Sequence, residues 1–344
     1  MLSFSKGIPI ARIEGGKYDG KIIHLFDPDN KDYDVCCEKC SKKCRSRRCC
    51  ADCKFRTGGC KQCGGSDIEQ DNPIDIMNYD DIRHYFGKDL NAIQMDRLIR
   101  TLKVAKRGGT AEDFLEFKDI LNEFKKRAEK EIVINDKGRI IILPNPNEEI
   151  GQRVFCAGPS GSGKSTIAGQ YIEELMKMFP KKEFILFSKV EEDEALDHLK
   201  PNRVNISKKL IDYPIKTEDL KNSITLFDDI DKIQDPKIVD SLQRLRNAML
   251  ETGRHDLTYT ICCGHQIANN AETKVQLNEC DCVIFFPRAG VHGIKYFLTS
   301  YCGLSKKQIE KIIHLPSRWV AIFKIYPMYV LYEKGCFLLN SMQD

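Results

Sequence analysis

The chain has 344 residues, of which 42% are hydrophobic and 30% are charged, and its formal net charge is +4. Such a length predicts a main domain with at least one smaller appended unit. The apolar runs are much shorter than the roughly 18 residues of a membrane-spanning helix, and a charge of +4 does not by itself indicate nucleic-acid binding. The amino-terminal segment lacks the apolar core of a secretory signal, so we expect a reducing compartment with free thiols.

The first 35 residues predict a small β segment. Two strand-like stretches, Ile8 to Ile13 and Lys21 to Leu25, are joined across glycines at positions 15, 16 and 20. This pattern favours a hairpin.

Residues 36–66 form a cysteine-rich block that predicts a zinc module. Nine of the sixteen cysteines lie between Cys36 and Cys63. A gap of two residues lets both thiolates of a pair bind one Zn²⁺, and two pairs complete a tetrahedral site, so the block has ligands for one or two ions. An iron–sulfur cluster takes the same ligands, and free surface thiols or disulfides are the alternatives without metal. The pairs with this gap are Cys37 and Cys40, Cys50 and Cys53, and Cys60 and Cys63.

The same block carries nine basic residues against two acidic ones. Clustered Lys and Arg attract a phosphate backbone, although a basic stretch also occurs as an ordinary solvated surface. DNA contact by this block is therefore a hypothesis.

Residues 67–135 predict a helical region, and residues 136–344 predict an α/β domain. In the first, apolar residues recur at three- and four-residue steps from Phe114 to Ala128, behind a capping signal at Thr110. In the second, apolar strands alternate with helical segments, which predicts a mostly parallel sheet covered by helices. The expected strands are Gln152 to Ala157, Phe184 to Ser188, Ile224 to Asp228, Thr258 to Cys263 and Cys282 to Phe286, followed by tail strands Trp319 to Ile325, Met328 to Glu333 and Cys336 to Leu339.

A phosphate-binding loop follows the first of these strands. Its glycines let backbone N–H groups turn toward a β-phosphate, Lys164 reaches the β and γ oxygens, and the Ser165 hydroxyl binds Mg²⁺. The entering strand and the helical spacing after Ile167 match this role, so the sequence predicts a P-loop that binds Mg-ATP or Mg-GTP. The loop residues are Gly158, Pro159, Ser160, Gly161, Ser162, Gly163, Lys164, Ser165 and Thr166.

A second acidic element has the pattern of a Walker B strand. The apolar stretch from Ile224 ends in Asp228 and Asp229. We expect Asp228 to hold the Mg²⁺ shell and Asp229 to orient and deprotonate the attacking water. The alternative is that the two acids only open a turn. A second acid beside the metal ligand favours hydrolysis over simple nucleotide binding.

Polar residues then follow the strand from Thr258. Gln266 is placed to hydrogen-bond the lytic water and a phosphate oxygen, whereas His265 is interpreted as a structural neighbour. Arg254 is the candidate arginine finger for a neighbouring subunit, or a cation at a helix carboxyl end. Arg244, Arg246 and Arg288 are the rival fingers.

Several segments in order resemble the FtsK/HerA-type DNA-packaging ATPases of nucleocytoplasmic large DNA viruses, which include the poxvirus packaging ATPase. The resemblance covers roughly residues 150–333 and rests on GPSGSGKST, FILFSKVEED, ITLFDDID, ETGRHDLTYTICCGHQ, LNECDCVIFFPRAG and YCGLSKKQIEKIIHLPSRWVAIFKIYP.

The resemblance implies a RecA-like sheet, a ring of five or six copies, and ATP-driven packaging of double-stranded DNA with capsid, portal or membrane components of a virion. It places the protein in the virion or the host cytoplasm. Many relatives have Glu where Asp229 stands, and the first 135 residues have no counterpart. The competing functions are a cellular HerA-like helicase or segregation motor and a nucleotide-gated binding or scaffold switch.

Overall fold

The structure is a computed structural model that describes residues 1–4, 7–26, 99–101, 103–104, 130–253, 255–268 and 270–339. The predicted zinc module, most of the predicted helical region and Arg254 lie outside these residues. The chain divides into two compact units, one of Met1–Gly7 with Ile23–Asp136 and one of Ile8–Ile22 with Lys137–Asp344.

The described part of the first unit contains short strands. Strand β1 (Leu2–Ser3) pairs antiparallel with β3 (Ile22–Leu25), so that Leu2 lies opposite Leu25. Strand β4 (Glu131–Val133) lies near the carboxyl-terminal limit of this unit, which ends at Asp136.

The second unit includes residues Ile8–Ile22, which the sequence analysis assigned to a separate small β segment. Strand β2 (Ile8–Glu14) pairs antiparallel with β5 (Arg139–Ile142), with Ile13 opposite Ile140. Both of these isoleucines are buried. Burial of their side chains, together with the backbone pairing, accounts for the attachment of β2 to the larger unit.

The main sheet of the second unit is parallel on one side and antiparallel on the other, in the order β14-β13-β12-β11-β6-β10-β9-β7-β8. Strands β11, β6, β10, β9, β7 and β8 run parallel, and β12, β13 and β14 continue from β11 as an antiparallel meander. The predicted α/β class with a mostly parallel sheet is confirmed. The strands are β6 (Arg153–Ala157), β7 (Glu183–Ser188), β8 (Asn202–Arg203), β9 (Ser223–Asp228), β10 (Tyr259–Gly264), β11 (Cys282–Phe285), β12 (Val320–Phe323), β13 (Tyr329–Tyr332) and β14 (Gly335–Leu338).

Helices connect the parallel strands, and some of them begin at capping side chains. The Asp235 side chain accepts a hydrogen bond from the Lys237 amide, and Pro236 occupies the first turn of the longest helix among the described residues. Ser305 and Gln308 form a reciprocal capping box. The helices are α1 (Lys164–Met178), α2 (Glu194–Asp197), α3 (Lys209–Asp212), α4 (Pro236–Thr252), α5 (Asn270–Glu279), α6 (Val291–Ser300) and α7 (Lys306–Ile313).

The core of this unit is built from the central strands. All residues of β6, β9 and β11 are buried, and the rings of Phe187 and Phe227 stack with centroids 4.7 Å apart. An ion pair lies at the start of β6, where Nη2 of the buried Arg153 is 2.9 Å from Asp281 Oδ1. No helix among the described residues is long and apolar enough to cross a membrane.

Candidate nucleotide-binding site

The loop after β6 has the backbone conformation that its glycines permit. Gly161 and Gly163 have φ angles of 74° and 101°, in the left-handed region that favours glycine. The Gly158 amide donates to the Gly264 carbonyl at 3.0 Å, which joins the loop to the end of β10. A Cβ atom on Gly158 would lie 2.5 Å from Cδ2 of Phe286, so only glycine fits there without movement of that ring.

Lys164 begins α1 and lies within the loop. Its side chain is buried, and Nζ donates to the Pro159 carbonyl at 3.3 Å. Pro159, Ser160, Gly161 and Thr166 are exposed, so the loop is open to solvent above the buried lysine. The helix amino terminus and the amino group thus present positive charge at one open surface.

Asp228 is the last residue of β9 and lies in register with Cys263 of β10. Its side chain is buried. The pKa of this carboxyl group is raised to about 6, chiefly by burial and also by the charges of Asp229 and Asp193. A hydrogen bond from Cys263 and the charge of Lys164 act in the opposite direction. A bound cation would relieve the repulsion among these acids.

Asp229 leaves the strand in a left-handed conformation, with φ of 49°. Its Oδ1 atom lies 3.9 Å from Lys164 Nζ and 3.2 Å from His265 Nε2, and its Oδ2 atom lies 3.0 Å from Lys232 Nζ. The contact between Asp229 Oδ1 and His265 Nε2 is not a hydrogen bond. Both atoms are buried, and neither has a hydrogen-bond partner among the described residues. An unsatisfied buried oxygen beside the phosphate loop has capacity for a water or a metal-bound ligand.

The end of β10 carries the predicted sensor residues to the same edge. His265 lines a cavity with Gln266, and both also line a second cavity with Gly158, Pro159 and Ser160. Gln266 is exposed and lines a cavity together with residues of the loop. The sequence had no signal for the contact between His265 and Asp229, because it depends on the pairing of β9 with β10.

The rival arginines differ in exposure. Arg246 is buried and its guanidinium donates to the Asn247 side chain at 3.2 Å, so it is not part of the exposed surface. Arg244 is exposed on α4 and pairs with Asp240 at 2.6 Å. Arg288 is also exposed. Together with Arg254, which the structure does not describe, these two remain candidate fingers.

The residues predicted to bind Mg²⁺ have suitable chemistry. Ser165 offers a hydroxyl group in the first turn of α1, and Asp228 offers a buried carboxyl group whose pKa is raised by burial and by neighbouring negative charge. Oxygen ligands of this kind are those that Mg²⁺ prefers in phosphate sites. The six paired cysteines predicted to bind zinc lie outside the described residues.

Two further residues beside the loop were not assigned a role from the sequence. A Cβ atom on Gly163 would lie 3.8 Å from Phe286 and 4.0 Å from Nη2 of Arg318. Phe286 and Arg318 lie in segments that carry the family resemblance, and this was the one sequence feature that could have pointed to them. Their approach to the loop depends on the order of strands in the sheet.

Parts of the chain are similar to known proteins. The AAA domain (dynein-related subfamily) matches residues 153–254. Protein V3 of Sputnik virophage is 39% identical over 220 residues, which cover 63% of this chain and 88% of V3.

Similar solved structures include genome packaging NTPase B204 of Sulfolobus turreted icosahedral virus 2 in complex with ATP-gammaS. It is 15% identical, with a TM-score of 0.36, over 56% of this chain and 100% of that chain. The cytoplasmic domain of the Type VII secretion ATPase EccC of Thermomonospora curvata is 11% identical, with a TM-score of 0.41, over 63% of this chain and 30% of that chain.

The parallel sheet, the glycine-framed loop before α1 and the acidic end of β9 define a P-loop ATPase with an AAA-type domain. Within that class, the chain belongs to the family of protein V3 of Sputnik virophage.

Proposed function

We propose that this ATPase is an ATP-driven translocase of double-stranded DNA that packages a viral genome. The observation that carries the proposal is the register of Asp228 with Cys263, which brings Asp229 and Gln266 to the same sheet edge as the P-loop. These residues belong to the ordered segments that resemble FtsK/HerA-type packaging ATPases. The family resemblance supports genome packaging as the function. The positions of Asp229 and Gln266 beside the P-loop support ATP hydrolysis.

The proposed chemistry assigns one task to each element of the site. Backbone N–H groups of the loop between Ser160 and Thr166, together with Lys164, hold the β- and γ-phosphates. Mg²⁺ held by Ser165 and Asp228 would neutralise phosphate charge. Asp229 deprotonates the attacking water, and Gln266 orients it against the γ-phosphate.

The position of Asp229 supports this assignment. Lys164 and Lys232 lie on either side of its carboxylate, at 3.9 and 3.0 Å from its two oxygen atoms. When a γ-phosphate attracts Lys164, Oδ1 loses that contact and becomes the acceptor for a water proton. The carboxylate is therefore adjacent to the phosphate site without being a necessary part of the phosphate cradle.

Force generation requires more than one copy in this proposal. The chain assembles as a ring of five or six subunits, and one of Arg254, Arg244 and Arg288 contacts the γ-phosphate of its neighbour. The ring acts on duplex DNA together with capsid, portal or membrane components of a virion, and it works in the virion or the host cytoplasm.

The decisive measurement is ATP hydrolysis with and without duplex DNA of increasing length, on the wild type and on Lys164→Ala, beside the native mass. We expect turnover that DNA stimulates, that depends on DNA length, that the substitution abolishes and that is confined to a ring. Turnover that is indifferent to DNA contradicts the motor and favours a nucleotide-gated switch.

A second arm separates packaging from a cellular helicase or segregation motor. Particles assembled in the presence of Lys164→Ala should form but lack the genome. Filled particles would contradict the packaging role even if DNA stimulates hydrolysis in solution.

A further inference from the structure

A cavity of about 170 Å³ lies beside the P-loop, on the side of the carboxyl-terminal meander. A single water needs only about 10 to 15 Å³, so this space accepts a much larger group. Its lining includes Ser162, Gly163, Thr166, Gln170, Phe286 and Trp319.

The cavity begins at the loop and follows α1 away from it. Thr166 and Gln170 are one helical turn apart and therefore lie on the same face of the helix. A nucleotide whose β- and γ-phosphates occupy the loop has to extend its remaining part in some direction from Gly163. This cavity is contiguous with the loop and offers that direction.

The walls combine aromatic surface with polar groups. Phe286 and Trp319 are buried side chains, only 7% and 8% exposed, so each presents a small ring surface to the cavity. Thr166 and Gln170 line the same space with hydrogen-bonding groups. Apolar walls with a few polar groups are typical of sites for planar organic ligands.

Arg318 lies at the junction of this cavity and the loop. Its amide donates to Glu333 Oε2 at 2.7 Å, and the Glu333 amide donates to Ser317 Oγ at 3.0 Å, so the backbone here is fixed to the meander. Its guanidinium makes no hydrogen bond or ion pair with the residues that the structure describes, and Nη2 approaches the Gly163 Cβ position at 4.0 Å. A fixed backbone with an uncommitted guanidinium suits binding of an anion beside the loop.

We infer that this cavity takes the base and ribose of the bound nucleotide, and that Arg318 binds, in the same subunit, the phosphate next to the ribose. The inference rests on the nucleotide binding in the proposed function and is independent of DNA translocation. It distinguishes Arg318 from the finger arginines, which would act on the γ-phosphate of a neighbouring subunit.

Trp319 is the one tryptophan of the chain, so its fluorescence reports on this cavity. Mg-ADP and Mg-ATP should change its emission, with binding measured in parallel by calorimetry. Inorganic tripolyphosphate should compete with ATP for the loop and leave the emission at its unliganded value. Unchanged emission with saturating nucleotide, or an equal change with tripolyphosphate, overturns the position of the nucleoside.

The variant Arg318→Gln tests the phosphate contact, with Lys307→Gln as a control that removes the same charge from the exposed surface of α7. We expect Arg318→Gln to weaken both ADP and ATP binding by about tenfold or more, since a charge-assisted hydrogen bond is lost. Lys307→Gln should bind as the wild type does. Equal affinity of Arg318→Gln and wild type, or a loss confined to ATP, overturns the assignment.

The outcomes also separate this inference from the proposed function. A wild type that binds nucleotide through Arg318 but shows no response to DNA leaves the inference standing and contradicts the motor. A wild type that binds no nucleotide contradicts both.

Discussion

The Nζ atom of Lys164 lies 3.9 Å from Oδ1 of Asp229, so the loop lysine lies beside the acid that directly follows β9. Asp228, one residue earlier, is buried at the strand end. Neighbouring acids therefore occupy different surroundings, which favours different roles for them.

Replacement of Asp229 with Asn should separate binding from turnover. The variant keeps the shape of the side chain but cannot accept the water proton, so we expect nucleotide affinity near wild type and kcat lower by about 10²- to 10⁴-fold. Equilibrium binding and steady-state hydrolysis check the two effects. Asp212→Asn, at the exposed end of α3, is the control and should retain kcat. Wild-type turnover in Asp229→Asn would remove Asp229 from the role of base.

Asp228 should make the stability of the unliganded protein depend on pH. Its pKa in the fold is about 6, above the ordinary value of 3.8, so the folded state binds more protons than the unfolded state between these values. Stability therefore falls as pH rises from about 4 to about 6 and stays lower above that. Above pH 7 the cost is about 3 kcal/mol.

The variant Asp228→Asn removes that cost. Without Mg²⁺ and nucleotide, it should be more stable than wild type in urea unfolding at pH 8, and the difference should vanish near pH 4. Glu183→Gln, which alters an exposed carboxylate at the start of β7, should show no such dependence. A pH-independent difference for Asp228→Asn would contradict the burial of a charged group there.

Arg12 should contribute more to stability than Arg139, although both pair β2 with another element. Arg12 of β2 binds Glu174 of α1, and Arg139 of β5 binds Glu14 of β2. Arg12 donates to both carboxylate oxygens of Glu174, at 2.8 and 3.2 Å, and that side chain is 8% exposed. Arg12→Ala leaves this buried carboxylate with Lys177 as its partner, and we expect a loss of about 1 to 3 kcal/mol.

The matched control is Arg139→Ala, since Arg139 and its partner Glu14 are about half exposed. An exposed pair of this kind is worth less than about 1 kcal/mol. Urea unfolding followed by Trp319 fluorescence compares the two variants. Equal losses would show that β2 is held by its backbone pairing and apolar contacts alone.

The cysteine-rich block should bind metal and contribute to DNA affinity. Purified protein should contain zinc, and Cys37→Ser with Cys40→Ser should remove one ion. A metal-free wild type would contradict the predicted zinc module.

Charge reversal at Arg45, Arg47 and Arg48 should weaken DNA binding and reduce its dependence on salt. A DNA affinity of this variant that equals the wild-type affinity at every salt concentration would contradict the DNA contact.

The sequence predicted the features that depend on local pattern. The P-loop, the acidic end of β9 and the strands of the parallel sheet follow from glycine spacing, apolar runs and alternation with helices. Contacts between distant strands left no such signal. The pairing of Ile13 with Ile140, the contact of His265 with Asp229 and the approach of Arg318 to Gly163 all depend on which strands become neighbours. The burial of Arg246 likewise depends on how α4 packs, which its own sequence does not specify.

The position of β6 has a consequence for the order of folding during synthesis. This strand ends at Ala157, yet its two neighbours in the sheet begin at Tyr259 and Cys282. The ribosome therefore has to release both of those later segments before the strand that carries the P-loop acquires its partners, because non-local pairing cannot precede the chain that supplies it. A nascent chain that ends before β10 contains every residue of the P-loop but lacks the Gly264 carbonyl that holds Gly158, so ATP can stabilise this protein only late in its translation.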